Sequence, residues 1–262
     1  MFLIIKSKIK MTLKLINPEK FIKLPKAIIF DTDNTLYEYA PAHELALKSV
    51  FSKAEILLDL KKNLFEDKFK EARNEVKNRI NNQASSHSRL LYIQRAIELL
   101  GFNTQLLLTL DLEQTYWRTF LQSCSLFPNI IDLLNKLNNL NIKTAIVTDL
   151  TSQIQFRKII FFGLEQYFDY VVTSEEAGYD KPNKAPFELA LKKLSLSADE
   201  CWMIGDNLIA DILGGNNCGL TTIHKYKNKK DIQYNNIYPD ANFNQFESII
   251  NLINDLIKNK IN

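Results

Sequence analysis

The sequence is poor in cysteine and contains no long run of apolar residues. Its three cysteines, Cys124, Cys201 and Cys218, lie far apart and form no Cys-x-x-Cys pair. This spacing excludes a disulfide framework and a cysteine-built zinc site, and it favours a reducing, cytoplasmic location. No stretch approaches the length of a membrane span, and lysines directly follow the apolar residues 1–5. We therefore expect neither a secretory signal nor a membrane partner.

An excess of charge of one sign is also missing. The 33 Lys and Arg residues against 30 Asp and Glu residues give a formal net charge of +3, spread along the chain. Such a balance does not favour nucleic acid as a partner. Hydrophobic residues make up 46% of the 262 residues and charged residues 24%, as in ordinary globular proteins. The chain can bury a sizeable core, but its composition names no ligand.

Short apolar runs alternate with helical patterns over much of the chain. The apolar runs are residues 26–30, 143–147, 170–172, 201–204 and 220–223, and the helical patterns are 129–140, 153–162, 185–194 and 208–218. This alternation predicts an α/β fold with a Rossmann-like parallel sheet and helices on both faces. Such sheets bind ligands beyond the carboxyl ends of their strands.

One long stretch breaks the alternation and predicts an inserted all-helical cap domain. Between Tyr39 and Ser125 only helical periodicity is found, with apolar stripes in 45–60, 65–80, 90–100 and 106–121. The predicted division is an N-terminal extension (1–24), an α/β catalytic core (25–38 and 126–262) and a helical cap domain (39–125). Within the core, the polar residues 225–240 predict a surface loop before a last helix at 245–258.

Two aspartates one residue apart, Asp31 and Asp33, follow the first apolar run. Asp-x-Asp also occurs in calcium loops, but an EF-hand would need Glu at its twelfth position, where Ala42 stands. Three further elements follow in order along the chain. They are Thr148 with Asp149, the pair Lys181 and Pro182, and the segment from Gly205 and Asp206 to Asp211.

Together these elements resemble the four motifs of the haloacid dehalogenase-like (HAD) hydrolases, most of which are Mg²⁺-dependent phosphatases. The resemblance covers about residues 26–223. The form Asp-x-Asp-Asn-Thr-Leu-Tyr and the helical insertion are similar to the helical-cap (C1) phosphatase branch. That branch includes phosphoglycolate phosphatases, pyrimidine 5'-nucleotidases and sugar phosphatases.

The resemblance implies catalytic roles for the two carboxylates. Asp31 would be the nucleophile that forms an aspartyl-phosphate, and Asp33 would be the general acid and base. For this role we expect the pKa of Asp33 to be raised toward neutrality in the closed site. Asp33 also favours a phosphatase over a dehalogenase, because relatives that break carbon-halogen bonds lack this aspartate.

The resemblance also implies Mg²⁺ as cofactor. The implied ligands are the Asp31 side chain, the Asp33 backbone carbonyl and the Asp206 side chain. Asp211 would support the waters of the metal or Lys181. For Asp211 the alternative is a favourable charge near the amino end of a helix.

The resemblance also implies that Thr148, Asp149 and Lys181 bind the phosphate. The Thr148 hydroxyl and the Lys181 ammonium would contact the phosphoryl oxygens, although a Thr at a strand end is often a helix cap. Asp149 stands where many relatives have Asn. Because a carboxylate near a phosphate dianion is unfavourable, we expect its side chain to turn away and its backbone N–H to face the phosphate.

Substrate specificity is expected from the cap, with Arg89, His43 and His87 as candidate residues. A guanidinium can bind a carboxylate or a second phosphate bidentately. The alternative is that these side chains lie on a solvated face and that residues 85–88 only cap a helix.

These residues favour a Mg²⁺-dependent phosphatase acting on a phosphate monoester of a small metabolite. A nucleoside monophosphate, a sugar phosphate and a phosphoglycolate-like compound are the leading classes, and the protein is expected to be a monomer or homodimer. A phosphomutase would also retain Asp33 and stays open. The alternative from another class is a catalytically weak regulator that binds a phosphorylated ligand or protein.

Overall fold

The computed structural model describes residues 13–81, 83–227 and 236–261, with only the backbone described for 259–261. Within these ranges seven strands form one sheet. They are β1 (Lys14–Leu15), β2 (Ala27–Phe30), β3 (Lys143–Thr148), β4 (Tyr170–Thr173), β5 (Cys201–Gly205), β6 (Thr221–Lys225) and β7 (Ala241–Phe243). Their order is β1-β7-β6-β5-β2-β3-β4, and all neighbours are parallel except β1, which runs antiparallel to β7.

Helices cover both faces of this sheet and surround its central strands. The α-helices of the described residues are α1 (Tyr39–Leu57), α2 (Leu64–Arg79), α3 (Arg89–Leu99), α4 (Leu106–Ser123), α5 (Ile130–Asn139), α6 (Ser152–Phe161), α7 (Ser174–Ala177), α8 (Lys184–Leu194), α9 (Gly214–Asn217) and α10 (Phe246–Ile261). Strand β2 is fully buried, with Ile28 and Phe30 in the core on the side of α5 and α10, and Ala27 and Ile29 in the core on the side of α8. The predicted α/β fold is confirmed.

The chain between β2 and β3 contains only helices, as the periodicity predicts. Helix α1 packs against α4, and α2 packs against α3. A short 3₁₀ helix, Ala84–His87, precedes α3, and the Ser88 side chain accepts a hydrogen bond from Leu91 N–H at the start of α3. The helical insertion is thus present, while its exact division from the core as a domain remains a prediction.

Part of the predicted N-terminal extension belongs to the sheet. Residues 14–15 form the edge strand β1, and a 3₁₀ turn at Pro18–Phe21 follows. The Phe21 ring is 5% exposed and packs edge-on against Trp202 of β5, with ring centroids 5.3 Å apart. Residues 1–12 lie outside the described residues.

The predicted surface loop at 225–240 is wrong at both of its ends. Lys225 closes strand β6 and is 5% exposed, and Asp240 is 7% exposed. The Asp240 carboxylate accepts hydrogen bonds from Thr222 N–H and from the Asn17 side-chain amide at 2.8 and 2.7 Å. It therefore joins β6 to the N-terminal segment, which periodicity could not reveal. Residues 228–235 of this stretch lie outside the described residues.

The helices of the described residues are all too short or too polar to cross a membrane.

Candidate active site

The site lies where the carboxyl ends of three neighbouring strands meet. Asp31 follows β2, Thr148 ends β3, and Asp206 follows β5. Because the strand order changes direction at β2, a crevice opens beyond these strand ends. The crevice is a cavity of about 420 Å³ between the sheet and helices α1 to α4. Every site residue expected from the sequence lines it: Asp31, Asp33, His43, His87, Arg89, Thr148, Asp149, Lys181, Asp206 and Asp211.

The Lys181 ammonium is buried and lines this cavity. Its Nζ donates hydrogen bonds to Asp31 Oδ1 at 2.7 Å, to Asp211 Oδ1 at 2.6 Å and to the Val147 carbonyl at 3.1 Å. Burial alone would lower the pKa of Lys181, but the carboxylates of Asp211 and Asp31 outweigh it and hold that pKa well above its ordinary value. Lys181 is therefore a fixed positive charge beside Asp31.

Three carboxylates next to this lysine could hold a metal ion. Oxygens of Asp31, Asp206 and Asp211 all lie within 4.8 Å of one another. Burial raises the pKa of Asp31 to about 6, with Lys181 opposing the shift and Asp211 adding to it. Burial, together with the charges of Asp31 and Asp211, raises the pKa of Asp206 well above its ordinary value. Such crowding is relieved by a cation, and a set of hard carboxylate oxygens fits Mg²⁺.

Local backbone structure brings Asp211 back to this cluster. After β5 the chain forms a π-helical turn, Leu208–Leu213, whose first N–H groups donate to the Asn207 side chain. Asp211 Oδ2 accepts a hydrogen bond from Asn207 N–H at 3.0 Å. A Cβ on Gly205 would lie 2.3 Å from that same Oδ2 atom, so only glycine leaves room there. The sequence predicted a helical pattern over 208–218. The structure differs in that the first part, Leu208–Leu213, is a π-helical turn and only Gly214–Asn217 is α-helical.

Asp33 faces a partner that the sequence analysis missed. Lys158 Nζ donates to both Asp33 carboxylate oxygens at 2.8 and 3.1 Å, and the Tyr37 hydroxyl donates to Oδ1. The Lys158 side chain is only 2% exposed and lies 5.5–5.8 Å from the ring centroids of Tyr37, Trp117 and Phe120. Its signal in the sequence is a lysine four residues after the buried Ile154, on the inner face of α6.

This contact overturns the expected pKa of Asp33. Burial acts to raise the pKa of Asp33, but the Lys158 ammonium and the Tyr37 hydroxyl outweigh it and lower that pKa below its ordinary value. The expectation of a pKa raised toward neutrality was therefore wrong, because it took account of burial and not of a buried cation. In this arrangement Asp33 is a carboxylate.

Thr148 and Asp149 are held by neighbouring side chains and backbone. The Thr148 hydroxyl lies 2.7 Å from that of Thr32 and accepts a hydrogen bond from the Gln155 amide at 2.9 Å. Asp149 Oδ1 accepts from Lys181 N–H at 2.9 Å, and burial raises the pKa of the Asp149 carboxyl. Asp149 thereby fixes the backbone that carries Lys181.

The helical side of the cavity contains the expected specificity residues. The Arg89 guanidinium donates to the His87 carbonyl at 2.5 Å and to the Tyr39 hydroxyl, and it lies 5.4 Å from the Tyr116 ring centroid. His43 Nδ1 lies 2.6 Å from the Tyr116 hydroxyl.

His87 connects this helical side to the core, because its Nε2 lies 3.2 Å from Asp180 Oδ2. Two further cations on α2, Arg73 and Lys77, also line the cavity, and the sequence analysis missed both.

With this geometry in view, comparison with known proteins identifies the family. A family model described as haloacid dehalogenase-like hydrolase matches residues 25–219. The chain belongs to this family of hydrolases. The resemblance drawn from the four motifs is thereby confirmed.

The curated relatives with similar sequences include named phosphatases. The ribulose-1,5-bisphosphate 5-phosphatase of Halopiger xanaduensis is 38% identical over 198 residues, which span 75% of this chain and 83% of the relative. The glyceraldehyde 3-phosphate phosphatase of Methanocaldococcus jannaschii is 27% identical over 89% of this chain and 99% of the relative.

A solved structure supports the fold. That of the putative HAD-hydrolase YfnB of Bacillus subtilis, bound to magnesium, matches with a TM-score of 0.66 and 24% identity, covering 88% of this chain and 100% of that chain. At this identity the likeness concerns the fold alone.

Proposed function

We propose that this hydrolase is a Mg²⁺-dependent phosphatase that cleaves a phosphate monoester of a small metabolite through an aspartyl-phosphate. The observation that carries the proposal is the Lys181 ammonium, which lies 2.7 Å from Asp31 and 2.6 Å from Asp211 beside the three-carboxylate cluster. A carboxylate can attack a phosphate only when cations offset the negative charge of both groups. The names of the two curated relatives support sugar phosphates as the leading substrate class.

The side chains have distinct tasks in the first half of the reaction. An Asp31 oxygen attacks phosphorus, the bond between phosphorus and the ester oxygen breaks, and the leaving oxygen takes up a proton from Asp33. Asp33 must first acquire that proton, which requires its contact with Lys158 to loosen. Lys181 holds Asp31 in place and offers positive charge to the phosphoryl oxygens.

In the second half, water attacks the phosphorus atom of the aspartyl-phosphate. Asp33 takes the proton from this water as its base, and the bond between Asp31 and phosphorus breaks, which releases inorganic phosphate. The Asp31 and Asp206 carboxylates and the Asp33 carbonyl, with Asp211 beside them, would hold Mg²⁺, which would supply positive charge to the phosphoryl group when bound.

We further propose that residues 39–125 act as a cap domain over the core, 25–38 and 126–262. The cap supplies Arg89, His43 and His87 to the cavity, so we assign recognition of the leaving group to the cap. The contact between His87 and Asp180 joins the cap to the loop that carries Lys181. Its closure would exclude water from the site.

Hydrolysis of p-nitrophenyl phosphate with and without Mg²⁺ tests the proposed function. We expect activity that EDTA abolishes and that Asp31→Asn lowers by about 10³-fold or more, because the amide cannot act as the nucleophile. Asp59→Asn is the matched control, since Asp59 is exposed and outside the cavity. Full activity of Asp31→Asn would contradict the proposal, and absent turnover on phosphorylated metabolites would favour a regulator.

A further inference from the structure

The helical side of the cavity carries three cations close together. Arg73 and Lys77 lie one turn apart on α2, and Arg89 lies at the start of α3, which packs against α2. All three line the same cavity as Asp31 and Lys181. They belong to the helical insertion, whereas the catalytic carboxylates belong to the sheet edge.

Within the described part of the chain, these cations form no ion pair with a carboxylate. None of the ion pairs formed by the described residues involves Arg73, Lys77 or Arg89. The hydrogen bonds of the Arg89 guanidinium go to two neutral oxygens, the His87 carbonyl and the Tyr39 hydroxyl. These contacts fix the guanidinium without neutralising its charge.

Two carboxylates attract these cations but contact other side chains. Asp33 attracts Arg89, but its oxygens are bonded to Lys158 and Tyr37. Asp180 attracts Lys77, but its Oδ2 atom lies 3.2 Å from His87 Nε2. The positive charge of these three side chains is therefore available to bind an anionic ligand.

The charges act on one another and on their surroundings. Burial and the charges of Arg73 and Arg89 lower the pKa of Lys77. Burial and the same two guanidinium groups lower the pKa of His43 to about 4, so His43 is neutral at physiological pH. Bringing like charges together costs free energy, which an anion bound between them recovers.

We propose that Arg73, Lys77 and Arg89 form a second anion site, so that the substrate carries a second phosphate group remote from the one that is cleaved. This inference rests on the proposed function, because the scissile ester is the one placed at Asp31. A cavity of about 420 Å³ has room for more than a single phosphoryl group. A phosphate dianion matches guanidinium and ammonium donors in charge and geometry.

Paired substrates that differ by one phosphate test the second site. The specificity constant, kcat/KM, is measured for ribulose 1,5-bisphosphate against ribulose 5-phosphate and for fructose 1,6-bisphosphate against fructose 6-phosphate. In the unmodified protein we expect the bisphosphate of at least one pair to be preferred by tenfold or more. Arg73→Ala and Lys77→Ala should each lower this preference by about tenfold, because each removes one charge-assisted hydrogen bond.

Two substitutions on the same helix serve as matched controls. Arg79 and Lys70 lie on α2 outside the cavity, and Arg79→Ala and Lys70→Ala should keep the preference for the bisphosphate. Arg73 is exposed, so its loss should not unfold the chain. A thermal melt of each variant checks this directly.

The outcomes separate this inference from the proposed function. Turnover of p-nitrophenyl phosphate with no preference for either bisphosphate, or with a preference that Arg73→Ala and Lys77→Ala leave intact, overturns the second anion site and leaves the phosphatase standing. A higher kcat/KM for 2-phosphoglycolate than for the bisphosphates also overturns it, in favour of a carboxylate. Absence of any Mg²⁺-dependent turnover overturns both.

Discussion

At the scale of single residues, Lys158 determines the ionisation and orientation of the Asp33 carboxylate. Its ammonium is enclosed by aromatic rings and bonded to both Asp33 oxygens, so the carboxylate is held ionised and pointed toward the cavity. The Asp33 side chain is 35% exposed, so water also reaches it. Lys158 is thus a positioning residue for the proposed acid and base.

Lys158→Met should separate positioning from folding. Methionine fills the apolar volume among the rings, and the partly exposed Asp33 can be solvated, so we expect the free energy of unfolding to change by about 1 kcal/mol or less. The kcat for p-nitrophenyl phosphate should fall by about 100-fold with little change in KM, because Asp33 loses the cation that keeps it ionised and oriented for its step as base. Steady-state kinetics and urea unfolding measure the two quantities.

Lys193→Met is the control, since Lys193 pairs with Glu176 away from the cavity. It should leave kcat unchanged. A variant at Lys158 that keeps the wild-type kcat would show that Asp33 needs no such partner.

The sequence reveals those site residues that stand in short motifs or at strand ends, and it does not reveal those that lie inside helices. Asp31, Asp206 and Lys181 stand at the ends of recognisable strands or in short motifs, so their types and order predict a shared site. Lys158 and Arg73 lie inside amphipathic helices, where a Lys or Arg in the sequence is normally assigned to the solvent-exposed face. Only the tertiary fold turns them toward the cavity.

At the scale of elements, the segment before β2 contributes to the core. Strand β1 adds only two residues to the edge of the sheet, but Phe21 packs against Trp202 on the central strand β5. Its neighbour Ile22 is 75% exposed. The two residues offer a matched pair for measuring what the segment contributes.

Phe21→Ala should lower the free energy of unfolding by about 3–4 kcal/mol, because it removes a buried aromatic ring and leaves a cavity. Ile22→Ala should change it by less than about 0.5 kcal/mol, as expected for an exposed position. Urea unfolding followed by tryptophan fluorescence measures both. Equal losses would mean that the segment does not pack on Trp202 in solution.

Most strands and helices were predicted within a few residues, whereas strands β1 and β7 and the π-helical turn were missed. The apolar run 143–147 became β3 (Lys143–Thr148), and the stripe 65–80 became α2 (Leu64–Arg79). Strands β1 and β7 have two and three residues, too few to show a period, and they form by tertiary pairing of β1 with β7 and of β7 with β6. The π-helical turn at Leu208–Leu213 depends on side-chain contacts of Asn207 and Asp211, which periodicity does not encode.

At the scale of the whole molecule, the fold gathers negative charge from remote parts of the chain. Asp31 and Asp206 are separated by the entire helical insertion and three strands, yet their oxygens and those of Asp211 lie within 4.8 Å. The Lys181 ammonium offsets part of this negative charge, and burial together with repulsion among the carboxylates raises the pKa values of Asp31 and Asp206. We therefore expect the carboxylate cluster to lower the free energy of unfolding until a cation binds there.

Melting curves of the unmodified protein and Asp206→Asn, each in EDTA and in saturating Mg²⁺, test this convergence most directly. In EDTA the variant should melt at the higher temperature, because the amide carries no charge into the cluster. When Mg²⁺ is present at about 100 times its Kd, the free energy of unfolding should rise by about 2.7 kcal/mol in the unmodified protein and in the control Asp59→Asn. In Asp206→Asn it should rise little. The same gain in Asp206→Asn as in the unmodified protein would contradict the account.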